Sequence, residues 1–365
     1  MTRPLAINGR FVTQRLTGVQ RHAIETVRAL DVLLAARDPQ LRPRCELLVP
    51  RGHGWPHGAL SVIAVREVGR RQGQVWEQFE LPFLVPRGAV LLNLCNTYPM
   101  LARRPLVTVH DASTYAMAGG YTRAFVAFYR LLFGVLRLRT SVPVLTDSAF
   151  SAAELQRHVG LPAERLRIVH CGADHWSRVT PDDAVLARLG LAPGSYVLGV
   201  ASENPNKNLT RLVDAFASLG PSSVRLVLVG GRNARVFAEG GRPDPDWIVR
   251  AGQVSDAELA ALYRAAVCFA FPSLYEGFGL PPLEAMRFGC PVLSSRESSL
   301  PEICGDAAQY CDGRDVASIA AGLSALLSDA ALRARLIAAG TERITHFRWQ
   351  QTAAGVLQQI EACPA

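Results

Sequence analysis

Short runs of consecutive apolar residues recur along the chain, and the segments between them return apolar side chains every three or four positions. In the first half the runs are LAINGRF (5–11), CELLVP (45–50), SVIAVREV (61–68), AVLLNLCN (89–96), LVTVHDAS (106–113), VPVLT before Asp147, and RLRIVHCGAD (165–174). Between them, QRHAIETVRALDVLLAAR follows Thr17-Gly18-Val19 and sets Val19, Ala23, Val27 and Leu30 on one stripe, as a helix does. WEQFELPFLV, YTRAFVAFYRLLFGVLRLR (121–139) and the segment after Ser148 or Ser151 also read as helices. In the second half the runs are SYVLGVAS (195–202), VRLVLVG (224–230), DWIVRAGQV (246–254), VCFAFP and CPVLSS (290–295). Helical patterns NLTRLVDAFASL, SDAELAALYRAA and PLEAMRFG separate most of them, and two helical stretches and QTAAGVLQQIEA close the chain. Strands buried on both faces and alternating with helices predict an α/β protein with parallel sheets. Two such halves predict two domains and a cleft for a ligand, with the division near Trp176 to Pro181.

The most informative stretch is 267–308, VCFAFPSLYEGFGLPPLEAMRFGCPVLSSRESSLPEICGDAA. A strand ends at Pro272, a loop carries Glu276, Gly277 and Gly279, and Pro281 and Pro282 open a short helix that stops at Gly289. Glycine lets backbone approach a ligand, and the N–H groups of a new helix suit a phosphate. Glu284 is expected in the first helical turn, where a carboxylate is also favourable simply because it faces the positive end of the dipole.

Composition narrows the partners. At 365 residues, 49% hydrophobic and 19% charged, the chain reads as globular. Met1 to Arg21 is broken by polar residues and has no signal-peptide pattern, and no stretch offers the roughly 18 apolar residues of a spanning helix. Eight cysteines without C-x-x-C spacing read as buried thiols of a reducing, cytoplasmic setting. The formal charge of +8 favours anionic partners. Nucleic acid is disfavoured, because no dense basic run with interleaved aromatics is present. Of the 39 basic residues, all but Lys207 are arginine, so one compact ammonium stands where a planar guanidinium would serve less well, unless it survives by chance.

The stretch from Glu276 resembles the nucleotide-sugar site of the retaining glycosyltransferases of family 4, whose signature is E-G-F-G-L-P-x-L-E-A-M-x-x-G-x-P-V. Glu276 and Glu284 match both acidic positions, and nearly every residue between them matches. The resemblance implies a GT-B fold: two Rossmann-like, doubly wound parallel-sheet domains facing each other across a cleft. It implies an acceptor-binding domain at 1–178, a donor-binding domain at 179–345, and a terminal helix, 346–365, that crosses back to the first. His110 matches a V-H-D segment whose histidine faces the transferred sugar. Lys207 matches the lysine of P-x-K-N-L that binds the donor diphosphate, with Asn206 where many relatives carry arginine. Val254 and Ser255 match the segment whose backbone reads the base; taken alone, Ser255 with Glu258 is also a capping box.

The resemblance further places Gly277, Phe278, Gly279, Leu280, Ser202, Gly18 and Val19 near the donor. The implied activity is metal-independent, cofactor-free, retaining transfer of a hexose from a nucleotide-diphosphate sugar, first GDP-mannose, then dTDP-rhamnose or a UDP-hexose. The implied acceptor is a saccharide or lipid-linked oligosaccharide of bacterial surface or exopolysaccharide synthesis. A non-catalytic nucleotide-sugar-binding protein on the same scaffold is the alternative. The arginine-rich, leucine-rich segment 121–139 reads either as core packing or as a peripheral contact with an anionic inner membrane.

Overall fold

The computed structural model describes residues 3–117, 119, 121–201, 204–220, 223–231 and 245–363. The chain forms two compact units, one running to Gly172 and taking back the chain from Arg348, the other comprising Ala173–Phe347.

The first unit holds β1 (Leu5–Asn8), β2 (Cys45–Pro50), β3 (Ala64–Val68), β4 (Val90–Asn93), β5 (Pro105–Thr108), β6 (Val144–Thr146) and β7 (Leu166–Ile168). All pairs are parallel, in the order β3-β2-β1-β4-β5-β6-β7. The strand order reverses between β1 and β4. The helix Gly18–Ala35 buries Ala23, Val27, Leu30 and Leu34 against this sheet. The final helix, Trp349–Ala362, adds Ala353, Val356, Leu357 and Ile360 to the same core. On the opposite face Trp76 and Leu81 pack with Ala6, Leu48 and Leu91.

Several strands are shorter than the apolar runs suggest. β1 stops at Asn8 because Gly9 touches the neighbouring strand, where a Cβ would sit 2.5 Å from the Leu48 carbonyl oxygen. A 3-10 turn, Arg10–Thr13, follows. β5 stops at Thr108, so His110 and Asp111 lie in the loop beyond it. The helix expected over WEQFELPFLV begins as a π turn, Trp76–Glu80, before continuing as α-helix Leu81–Leu84.

The second unit holds β8 (Tyr196–Ala201), β9 (Arg225–Gly230), β10 (Ile248–Gly252), β11 (Cys268–Phe271), β12 (Val292–Ser295) and β13 (Ala308–Cys311). They pair in parallel in the order β10-β9-β8-β11-β12-β13. The order reverses between β8 and β11. Helices Leu209–Ser218 and Val316–Ser328 cover one face through Leu212, Phe216, Ile319 and Leu323. β13, AQYC, is an addition to the expected strands. The division between units falls between Gly172 and Ala173 rather than after residue 178, because the 3-10 turn Asp174–Arg178 packs Trp176 edge-on against Tyr263 and Phe288 of the second unit.

Candidate functional site

In an open parallel sheet, ligands bind outside the carboxyl ends of the strands where the order reverses. In the second unit that point lies beyond β8 and β11, and the loops after those strands deliver Lys207 and Glu276. Lys207 ends a 3-10 turn, Pro205–Lys207, whose start is capped by the Asn204 side chain accepting from the Asn206 N–H. Asn208 follows in the left-handed conformation, φ 57°. Its amide Nδ2 donates to the Pro272 carbonyl (2.9 Å) and to the Gly313 carbonyl (2.5 Å), locking the first loop to the second. The buried Asn206 takes part through its backbone: its carbonyl accepts from the Ser273 hydroxyl (2.8 Å) and the Leu274 N–H (2.7 Å).

The Lys207 Nζ lies 2.7 Å from Glu276 Oε1 and 4.8 Å from the centre of the Phe271 ring. The Ser273 hydroxyl, whose one proton is shared with the Asn206 carbonyl, also lies 2.5 Å from this carboxylate oxygen. The Glu276 N–H donates to Ser298 Oγ (3.0 Å), and Ser298 has φ 57°. The Ser299 hydroxyl lies 3.0 Å from the Glu276 carbonyl and 2.8 Å from that of Phe278. Five side chains from three loops therefore hold one ion pair, whose side chains are 20% exposed at Lys207 and 13% at Glu276. A fixed, partly desolvated ammonium beside a carboxylate suits a ligand that is anionic at one end and hydroxylated at the other.

Gly279, at φ 105°, starts the helix Leu280–Arg287, and a Cβ there would meet Leu300 Cδ2 at 2.8 Å. Pro281 and Pro282 carry no N–H, so the Gly279 and Leu280 amides are the donors this helix start can offer. Phe278 is buried edge-on against Phe347, 5.7 Å between centroids, and Leu280 is also buried; neither side chain is directed to a ligand, which leaves their backbone. Glu284 sits in the second helical turn rather than the first, so the dipole does not account for it. One of its oxygens accepts from the Tyr263 hydroxyl at 3.3 Å. Burial, and next the Glu284 charge, push the Tyr263 phenol well above its usual range, so it stays a donor.

Ser255 forms the expected capping box. Its hydroxyl accepts from the Glu258 N–H (3.2 Å) and its own N–H donates to the Glu258 carboxylate (2.8 Å). Reading of a base near Val254 and Ser255 would therefore use other backbone groups than the Ser255 N–H. Ser202 lies outside the described residues.

In the first unit Gly18 and Val19 open the helix after β1, and the Cys95 thiol approaches the Val19 carbonyl. His110 is buried. Its Nδ1 is 2.6 Å from Asp147 Oδ2 and its Nε2 is 2.9 Å from the Leu94 carbonyl. Both nitrogens face acceptors, an arrangement that favours the imidazolium form. Burial alone would lower its pKa, but the Asp147 charge and hydrogen bond, the Leu94 carbonyl and Asp111 together raise it. Both ring nitrogens of His110 are thus engaged within the first unit.

His22 packs edge-on to His110 at 4.8 Å and is held neutral, its pKa lowered to about 4 chiefly by burial. His22, Asp147 and Cys171 bring ligand atoms within 4.8 Å of one another, the one group of this kind among the described residues. The Cys171 thiol is pushed well up by burial and then by Asp147, so it points a proton at that carboxylate.

A second buried network lies at the reversal point of the first sheet, and the sequence gives no sign of it. Glu77 accepts from Asn8 Nδ2 (2.7 Å) and the Thr97 hydroxyl (2.9 Å) and pairs with Arg10 Nε at 3.2 Å. Asp147 had a visible signal, an acid directly after a buried strand; Glu77 had none, because the π turn that turns it inward is a tertiary effect.

The profile of the glycosyl transferases group 1 family matches residues 192–343. O-antigen chain mannosyltransferase B of Escherichia coli is 34% identical, across 92% of this chain and 93% of that protein. The MMP alpha-(1->4)-mannosyltransferase of Mycolicibacterium hassiacum is 33% identical across 62% of this chain and 55% of its own. Among solved structures, sucrose-phosphate synthase from Thermosynechococcus elongatus superposes with a TM-score of 0.70 at 19% identity, over 99% of each chain, which speaks for the fold alone.

Proposed function

Since the chain belongs to the glycosyl transferases group 1 family and has the GT-B fold, we propose that it transfers a mannosyl residue from GDP-mannose, with retention, to a saccharide or lipid-linked acceptor of a bacterial surface polysaccharide. The names of two relatives, O-antigen chain mannosyltransferase B and the MMP alpha-(1->4)-mannosyltransferase, support mannose. The observation that carries the reading is the Lys207–Glu276 pair at the reversal point of the second sheet.

In this reading Lys207, with the Gly279 and Leu280 amides, holds the donor diphosphate. Negative charge grows on that group as the glycosidic bond breaks, and donors already fixed in place stabilise the transition state more than the ground state. Glu276, released from Lys207 as the phosphate arrives, accepts from hydroxyls of the sugar. Glu284, oriented by Tyr263, accepts from the ribose. The acceptor hydroxyl attacks from the face the nucleotide leaves, and the departing phosphate oxygen takes its proton. The first unit carries the acceptor, with His110 keeping the Asp147 loop in place. Catalysis rests on these protein charges, so full activity in the presence of a chelator is expected.

The test is nucleotide release from GDP-mannose, UDP-glucose and dTDP-rhamnose, each with and without a mannose-containing saccharide. Release from GDP-mannose that depends on the saccharide supports the proposal. Preference for another donor changes the sugar assignment, and binding without release makes the chain a nucleotide-sugar-binding protein instead.

A further inference from the structure

The sequence leaves 121–139 open between core packing and a membrane contact, and the structure turns one side of this segment inward. The helix Arg123–Leu138 turns Val126, Leu132, Phe133 and Leu136 into the core of the first unit, and Phe125 stacks on Tyr121 and meets Tyr129 at a tilt of 40°. The larger departure from normal burial is on the segment Gly73–Leu84. There Trp76, Glu77, Gln78 and Leu81 are buried, while Phe79 is 69% and Phe83 76% exposed, four residues apart on the outer stripe. The Gln78 side chain ties this stripe to the next loop, donating to the Tyr98 carbonyl (2.9 Å) and accepting from the Met100 N–H (3.1 Å). Leu101, 65% exposed, sits in that loop. Arg139 then fastens the loop to the end of the helix Arg123–Leu138 by donating to the Met100 and Arg103 carbonyls, beside Leu138 at 82% exposure. Four large apolar side chains are thus presented to water by three mutually anchored segments.

The charge around them is predominantly positive. Arg103, Arg104 and Arg137 are exposed on these segments, and Arg70, Arg71 and Arg87 are exposed in the residues flanking Gly73–Leu84. From 112 to 146 there is no aspartate or glutamate, and of the two glutamates between 69 and 104, Glu77 is buried and Glu80 accepts from the Arg70 and Arg71 N–H groups.

We propose that this face of the first unit docks on an anionic phospholipid bilayer, with Phe79, Phe83, Leu101 and Leu138 entering the headgroup region and the arginines pairing with lipid phosphates. The charge decides for lipid over a protein partner. Aromatic and aliphatic tips set among arginines match a surface that is anionic throughout and apolar just beneath. Guanidinium groups pair with phosphate through two N–H bonds at once. No single helix among the described residues is long and apolar enough to cross a membrane. The inference extends the proposed function by giving a lipid-linked acceptor a place to be met, but it is read without catalysis.

The test is flotation of the full chain with vesicles of phosphatidylcholine alone and of phosphatidylcholine with an equal part of phosphatidylglycerol, at low and high salt. Binding is expected only to the anionic vesicles and is expected to weaken with salt. The pair Phe79→Ser with Phe83→Ser should bind at least about tenfold more weakly with an unchanged melting temperature, and Arg103→Glu with Arg104→Glu should do the same. Transfer to a soluble saccharide should be equal in wild type and both variants. Wild type left unbound, or full binding by the serine pair, overturns the proposal. Wild-type self-association that the serine pair abolishes would assign the face to a second copy instead. Absent transfer with vesicle binding intact counts against the functional reading alone.

Discussion

Lys207 and Glu276 neutralise each other at 2.7 Å, so neither stands as an uncompensated charge before ligand arrives. Replacing either with alanine leaves its partner with solvent and the Ser273 hydroxyl within reach, and the fold should persist. Turnover should not: one lost preorganised donor of this kind costs about 3 kcal/mol, roughly a hundredfold in rate. Lys207→Ala and Glu276→Ala are each expected to fall at least that far in kcat with a melting temperature close to wild type. The lone lysine and the paired acids were legible in the sequence; their serine supports and Asn208 were not, because a serine-rich loop has no preferred partner until the sheet sets its neighbours.

His110 makes a pH-dependent contribution whose sign follows from its two acceptors. Its folded pKa is raised, so the stability it supplies is complete below the ordinary imidazole value of about 6.5 and is lost as pH rises through the folded value. His22 runs the other way. Its folded value of about 4 carries no penalty above about 6.5 and a growing one as pH falls from there toward 4. Nitrogen-detected NMR at neutral pH should show two protonated ring nitrogens on His110 and one on His22; a neutral His110 would refute the assignment. Asp147→Asn strands a buried imidazolium and should cost roughly 3–5 kcal/mol in chemical unfolding.

At the scale of elements, the strand and helix pattern was readable wherever an apolar run was long enough, and the loop-helix start at Gly279 was readable from its glycines and prolines. Gly279→Ala would force a Cβ into the left-handed region and against Leu300, and should both destabilise the second unit, by about 1–2 kcal/mol, and turn the Leu280 amide away from the ligand. A fall in stability without loss of donor affinity would separate the two effects and remove the amide from the site. β13 was not legible, since AQYC carries two polar positions and gains its place only by pairing with β12. The π turn at Trp76–Glu80 was hidden for a similar reason: it is the burial of Trp76, Glu77 and Gln78 together that sets the wider turn.

At the scale of the whole molecule, the final helix belongs to the first sheet. Val356, Leu357 and Ile360 are buried there, and each such side chain is worth about 1.5–3 kcal/mol. Removal of residues 349–365 should unfold the first unit while the second keeps its melting transition, as calorimetry would show. Gly172 marks the crossing, because any side chain there would collide with the backbone of Trp349. The boundary lies a few residues before Trp176 to Pro181, where the sequence pattern and its family resemblance placed it, since only packing reveals that Trp176 belongs with Tyr263.

In the proposed function the Lys207–Glu276 pair seats the donor's diphosphate and sugar. Calorimetric titration of GDP and GDP-mannose into wild type and Lys207→Ala tests it most directly. Wild type should bind both, and the variant should bind each at least about a hundredfold more weakly. Equal affinities in the two proteins would contradict it.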